Sequence, residues 1–113
     1  MMGPARRARL ATSPHMWTLR VPAESETGSL TFRILPGSIK TIGRATGADF
    51  VLDVALVSRV HCRLTANDVG DLEVLDLQST NGTYVNDRRV ERLSLAQGDR
   101  LRVGRVELLV EKN

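Results

Sequence analysis

Apolar residues in this chain recur at every second position and nowhere sustain the i, i+3, i+4, i+7 stripe that three turns of amphipathic helix require. In VHCRLTA, Val60, Cys62 and Leu64 fall on one side of an extended chain and His61, Arg63 and Thr65 on the other. Leu101 and Val103 alternate with Arg100 and Arg102, and beyond Gly104 the pattern resumes at Val106, Leu108 and Val110. Turn residues break these runs: Pro36-Gly37, the stretch from Asn67 to Asp71, Asn86-Asp87 and Gly98-Asp99. Gly and Asn tolerate the positive φ that tight hairpins demand, and a break every 8–12 residues or about that is the rhythm of a sandwich or barrel. The pattern predicts strands over 16–21, 30–35, 39–43, 49–52, 60–66, 71–76, 83–86, 88–91, 100–104 and 106–111. The expected fold is an all-β sandwich of two antiparallel or mixed sheets, with function in its loops.

A chain of 113 residues supports one core, and with aromatics at 4% that core must be built from Val, Leu and Ile. The single cysteine, Cys62, excludes an intrachain disulfide and fits a reducing compartment. The apolar run Val54–Val57 is far too short to span a bilayer, so no membrane role is expected. The net charge of +3 sits in residues 1–15, which hold Arg6, Arg7 and Arg9 and no acids. These residues read as a vector-derived, unstructured tail, with a native start at Met16 and one domain over 16–113. Without those three arginines the body carries 13 basic and 13 acidic residues. A neutral surface with only Trp17, Phe32, Phe50 and Tyr84 for stacking lacks the footprint of a nucleic-acid binder.

Three polar clusters stand at predicted strand ends: Gly43-Arg44, Ser58-Arg59-Val60-His61, and Ser79-Thr80-Asn81-Gly82-Thr83. Each alone is ordinary turn chemistry. Ser58 and His61 lack a third orienting acid and an oxyanion hole, so no enzyme is expected. His61 and Cys62 point to opposite sides of one strand and cannot chelate a metal together, and nothing implies a cofactor. Cys62, in phase with Val60 and Leu64, reads as a small core residue.

In their order and spacing, however, the clusters resemble the forkhead-associated (FHA) domain, whose signature runs GR, then SRxH or SxxH, then an NG pair often written STNGT. Val85-Asn86, Gly98-Asp99 and Val103-Gly104 extend the likeness, which covers 16–113. The resemblance implies an eleven-stranded, FHA/SMAD-like sandwich whose loops at one end bind phosphothreonine peptides. The chain would then mediate phosphorylation-dependent protein–protein interaction downstream of a Ser/Thr kinase.

The same resemblance assigns roles. Arg44, Ser58, Arg59 and Thr80 would contact the phosphate, and Asn81 the peptide main chain beside it. Such donors suit a group that carries about −1.5 to −2 charge and three acceptor oxygens. Arginine offers a planar fork that an ammonium cannot match. Gly43, His61 and Gly82 would support the site without touching ligand. Leu56, two positions before the motif serine, would favour an apolar third residue after the phosphothreonine. The alternative function is a phosphate-independent scaffold using the flat face of the sandwich. With 11 arginines to 2 lysines in 16–113, the chain reads as a bacterial, cytoplasmic signalling module. The opening Met16-Trp17-x-Leu19 also resembles nibrin-type DNA-damage proteins, for which a nuclear location would hold. Oligomeric state is not legible.

Overall fold

The computed structural model describes residues 16–113, so the expectation for 1–15 lies outside the described residues. Eleven strands follow one another along the chain: β1 (Trp17–Val21), β2 (Leu30–Ile34), β3 (Ile39–Gly43), β4 (Phe50–Val51), β5 (Cys62–Ala66), β6 (Leu72–Asp76), β7 (Thr83–Val85), β8 (Arg88–Val90), β9 (Arg92–Leu95), β10 (Arg100–Val103) and β11 (Val106–Lys112). They form a six-stranded sheet in the order β2-β1-β11-β10-β7-β8 and a five-stranded sheet in the order β4-β3-β5-β6-β9. All recorded pairings are antiparallel except β3 with β4, which makes the second sheet mixed. No helix is long and apolar enough to cross a membrane among the described residues.

The period-two pattern works through the core. Leu19, Leu101, Leu108 and Val110 of the first sheet face Ile42, Leu64, Leu72 and Val74 of the second, all wholly buried. Each such side chain contributes about 1.5–3 kcal/mol on leaving water. Phe32 and Phe50 stack 4.4 Å apart and cover the core where β2 meets β4. Trp17 is the one aromatic buried within it, its Nε1–H donating to the Gly70 carbonyl at 3.1 Å.

Two expectations need correction. Val60 is half exposed and His61 fully buried, the reverse of the predicted alternation, because β5 begins only at Cys62 and the chain bends at Arg59-Val60 before it. The strand Arg92–Leu95 escaped the pattern altogether. It is an edge strand paired only to β6, and only Leu95 of its four residues is buried, so no alternation marks it.

The topology sets the site. β3 and β5 are antiparallel neighbours, so the end of β3 at Gly43 lies beside the start of β5 at Cys62. Cys62 in turn faces Asp76, the last residue of β6. The connections leaving β3, entering β5 and leaving β6 therefore emerge at one end of the sandwich.

Candidate functional site

At that end, Arg44, Leu56, Ser58, Thr80 and Asn81, together with Ala55 and Val57, line one open depression of about 400 Å³. Three separate loops thus bring together five residues singled out in the sequence. Arg59 is exposed and is not among the lining residues. Its carbonyl accepts the Ala45 N–H at 3.1 Å and stands where a Cβ on Gly43 would collide with it. That close approach is why β3 ends on glycine.

Arg44 is anchored at its base. Its backbone N–H donates to the Ser58 carbonyl at 2.9 Å and its Nε–H to the Val57 carbonyl at 3.0 Å. Its guanidinium enters no ion pair among the described residues, so the terminal nitrogens keep their donors. Ser58 Oγ accepts the Thr80 N–H at 3.0 Å, which leaves the Ser58 O–H itself to donate. Asn81 donates from Nδ2 to the Leu56 carbonyl at 3.1 Å and keeps its Oδ1 as an acceptor. That bond holds Leu56 at φ 75°, a left-handed conformation in an exposed residue. No carboxylate lines the depression, and Arg44 gives it a positive character.

His61 lies beneath the two walls, wholly buried. Its Nδ1 accepts the Ser58 backbone N–H at 3.0 Å, so Nε2 carries the proton and donates to the Gly82 carbonyl at 2.9 Å. One imidazole therefore ties the loop before β5 to the loop before β7. Both ring nitrogens are occupied and neither meets the Ser58 hydroxyl, so this is not the geometry of an activated serine. Gly82 takes φ 89°, open to glycine at no steric cost.

Three participants received no role in the sequence reading, although Ser79 stands in one of its clusters. The Val57 carbonyl is backbone and carries no side-chain signal. Asp76 and Ser79 build the second wall from within: Ser79 Oγ donates to Asp76 Oδ1 at 2.6 Å, and Thr83 Oγ1 donates to the same oxygen at 2.7 Å. The Ser79 N–H reaches Asp76 Oδ2 at 3.2 Å, while Ser79 Oγ accepts the Gly82 N–H at 2.9 Å. An acid followed three residues later by serine is a recognisable turn pattern. Burial pushes the Asp76 carboxyl up, but the Ser79 and Thr83 donors outweigh it and hold the group below the usual aspartate range. Beside it, burial first and the Asp76 charge second push the Cys62 thiol up to about 12, which makes it an inert core residue.

Known proteins share this fold. The FHA domain family model matches residues 40–104, a span that contains all the lining residues. An ABC transporter ATP-binding/permease protein of Mycobacterium tuberculosis is 39% identical over 82 residues, covering 73% of this chain and 9% of the relative. The chain spans under half the length of the curated relatives it matches. Among solved structures, an FHA domain studied for phosphothreonine-dependent interactions superposes with a TM-score of 0.76 at 35% identity, over 87% of this chain and 97% of that one. The FhaA FHA domain, solved in complex with the intracellular domain of Rv3910, gives 0.75 at 34%, over 84% and 99%. By sequence match and by architecture, the chain belongs to the FHA domain family.

Proposed function

We propose that the depression binds phosphothreonine in a partner protein and that the chain, through its domain over 16–113, couples Ser/Thr kinase activity to protein association without chemistry of its own. The observation that carries this reading is the set of unspent donors. Arg44 terminal nitrogens, the Ser58 hydroxyl and the Thr80 side chain border one cavity free of carboxylates. A phosphate dianion requires such a set, and a guanidinium fixed at Nε presents its outer edge at little further loss of freedom. Arg59 acts at the rim rather than in the floor. Asn81 Oδ1 accepts a peptide N–H while Nδ2 keeps the Leu56 carbonyl, which sets register.

The threonine methyl buries against the apolar part of the cavity, worth about 0.8 kcal/mol over serine. Leu56, held at the rim, favours an apolar residue at the third position after the phosphothreonine. Gly43, His61 and Gly82 hold the walls in place. Two observations of relatives support the reading: the phosphothreonine dependence described for one solved FHA domain and the protein partner bound to another. The mycobacterial and corynebacterial relatives support a bacterial setting, within which a cytoplasmic location is part of the proposal.

Calorimetric titration of one peptide as phosphothreonine, phosphoserine and unmodified threonine tests the proposal. Binding is expected for the phosphothreonine form, and Arg44→Ala should weaken it by about 2 kcal/mol or more through loss of charge-assisted bonds. Equal binding of the unmodified peptide would support the phosphate-independent scaffold instead.

A further inference from the structure

Beyond the cup, the outer side of the six-stranded sheet carries an arrangement that the binding of phosphothreonine does not use. In register across three strands stand Arg102 of β10, Tyr84 of β7 and Arg89 of β8. The Arg102 guanidinium lies over the Tyr84 ring, 4.1 Å from its centroid. Arg89 approaches the same region from the other side. Its Nε lies 2.8 Å from where a Cβ on Gly82 would stand, and Tyr84 Cε1 3.2 Å from that point. Two arginines thus flank one aromatic ring on directly paired strands, an arrangement whose like charges oppose folding.

Neither arginine enters an ion pair among the described residues. Glu107 stands opposite Arg102 in the ladder, but its recorded partner is Arg100 at 3.5 Å. Tyrosine supplies a rigid platform and the arginines supply donors that no carboxylate of the described residues pairs with, although Asp76 and Glu91 line a depression beside Arg89. The arrangement lies near the cup along the chain, because Gly82, which both Arg89 and Tyr84 approach, directly follows Asn81, a residue that lines it.

We propose that Arg89, Tyr84 and Arg102 form an anion-reading surface that takes acidic side chains flanking the phosphothreonine of the bound peptide. The inference rests on the reading of the cup as a phosphothreonine site. An extended peptide advances about 3.3–3.6 Å per residue, so a chain bonded at Asn81 brings residues two to four places or so from the phosphothreonine over the stack. Only one direction of the peptide leads there, so acidic residues on one flank alone are read. Leu56 stands on the other loop, so an apolar contact and an acidic one can be satisfied by the same peptide.

Fluorescence anisotropy with three phosphothreonine peptides tests this: neutral flanks, glutamates at the second to fourth positions before the phosphothreonine, and glutamates at the same positions after it. One acid-flanked peptide is expected to bind about three- to tenfold tighter than the neutral one, as suits two exposed charge contacts. The gain should shrink in 0.5 M salt, roughly, as screening requires. In the double variant R89Q/R102Q the affinity ratio of that peptide to the neutral one should fall to about one. Equal affinity for all three peptides, or a ratio preserved in the double variant, overturns the inference while leaving the cup intact. Failure of the neutral phosphothreonine peptide itself to bind overturns the cup reading, and this inference with it.

Discussion

Replacing His61 with alanine removes a residue that lines no ligand surface yet joins both walls of the cup. The side chain is wholly buried, and its loss orphans the Ser58 N–H and the Gly82 carbonyl. Each buried polar group left without a partner costs about 1–3 kcal/mol. A void the size of an imidazole adds to this, while water entering it recovers part of the lost bonding. The net destabilisation is therefore about 3–5 kcal/mol, a large share of a domain stability of about 5–15 kcal/mol. At about 4–8 °C per kcal/mol for a domain this size, Tm should fall by roughly 12 °C or more. Urea unfolding of the full chain, followed by the fluorescence of Trp17, the single and buried tryptophan, measures the loss directly. Phosphothreonine-peptide affinity should fall as well under conditions where the variant is still folded, since Ser58 and Gly82 then lose their common brace. A destabilisation below about 1 kcal/mol would refute the bracing role, because it would mean that the two loops hold their positions without the imidazole.

Other perturbations have equally definite outcomes. Gly43→Ala drives a methyl into the Arg59 carbonyl and should cost about 1–3 kcal/mol in urea unfolding, despite adding only one carbon. Leu56→Gly releases a left-handed residue worth about 1–2 kcal/mol of strain, offset in part by the freer unfolded chain, so the urea midpoint should not drop. Leu56→Val, β-branched at the same φ, should lower it. Asp76 has a folded-state pKa below its unfolded value of 3.8, so it binds fewer protons folded than unfolded. Its stabilising contribution is present above that unfolded pKa and is lost as pH falls through the depressed folded one. Urea midpoints of the parent should decline across that acid range, and Asp76→Asn should flatten the decline.

Much of this architecture is legible in the sequence, for a reason visible in particular strands. β5, β10 and β11 each bury one face, so Cys62-x-Leu64, Leu101-x-Val103 and Val106-x-Leu108-x-Val110 report the inward side directly. β9 is silent because an edge strand with three exposed residues has no face to advertise. Val60 misled because alternation is a property of extended chain, and that residue sits in a bend ahead of β5.

The polar side chains that line the cup are legible from Gly-Arg, Ser-Arg-x-His and Ser-Thr-Asn-Gly. What orders them is less so. The Val57 carbonyl that fixes Arg44 leaves no mark in any side chain, and Asp76 ends a strand whose alternation gives no hint that it carries the loop after it. Arg89 and Tyr84 meet only through a tight turn at Asn86-Asp87, both at positive φ, and their neighbour Arg102 comes from a strand far along the chain.

The measurement closest to the central proposal is a crystal structure of the chain with a phosphothreonine peptide bound. The phosphate oxygens are expected within hydrogen-bond distance of the Arg44 terminal nitrogens, the Ser58 hydroxyl and Thr80, with Asn81 Oδ1 on a peptide N–H. A phosphate seated elsewhere on the surface, with those donors facing only solvent, would contradict the proposal outright.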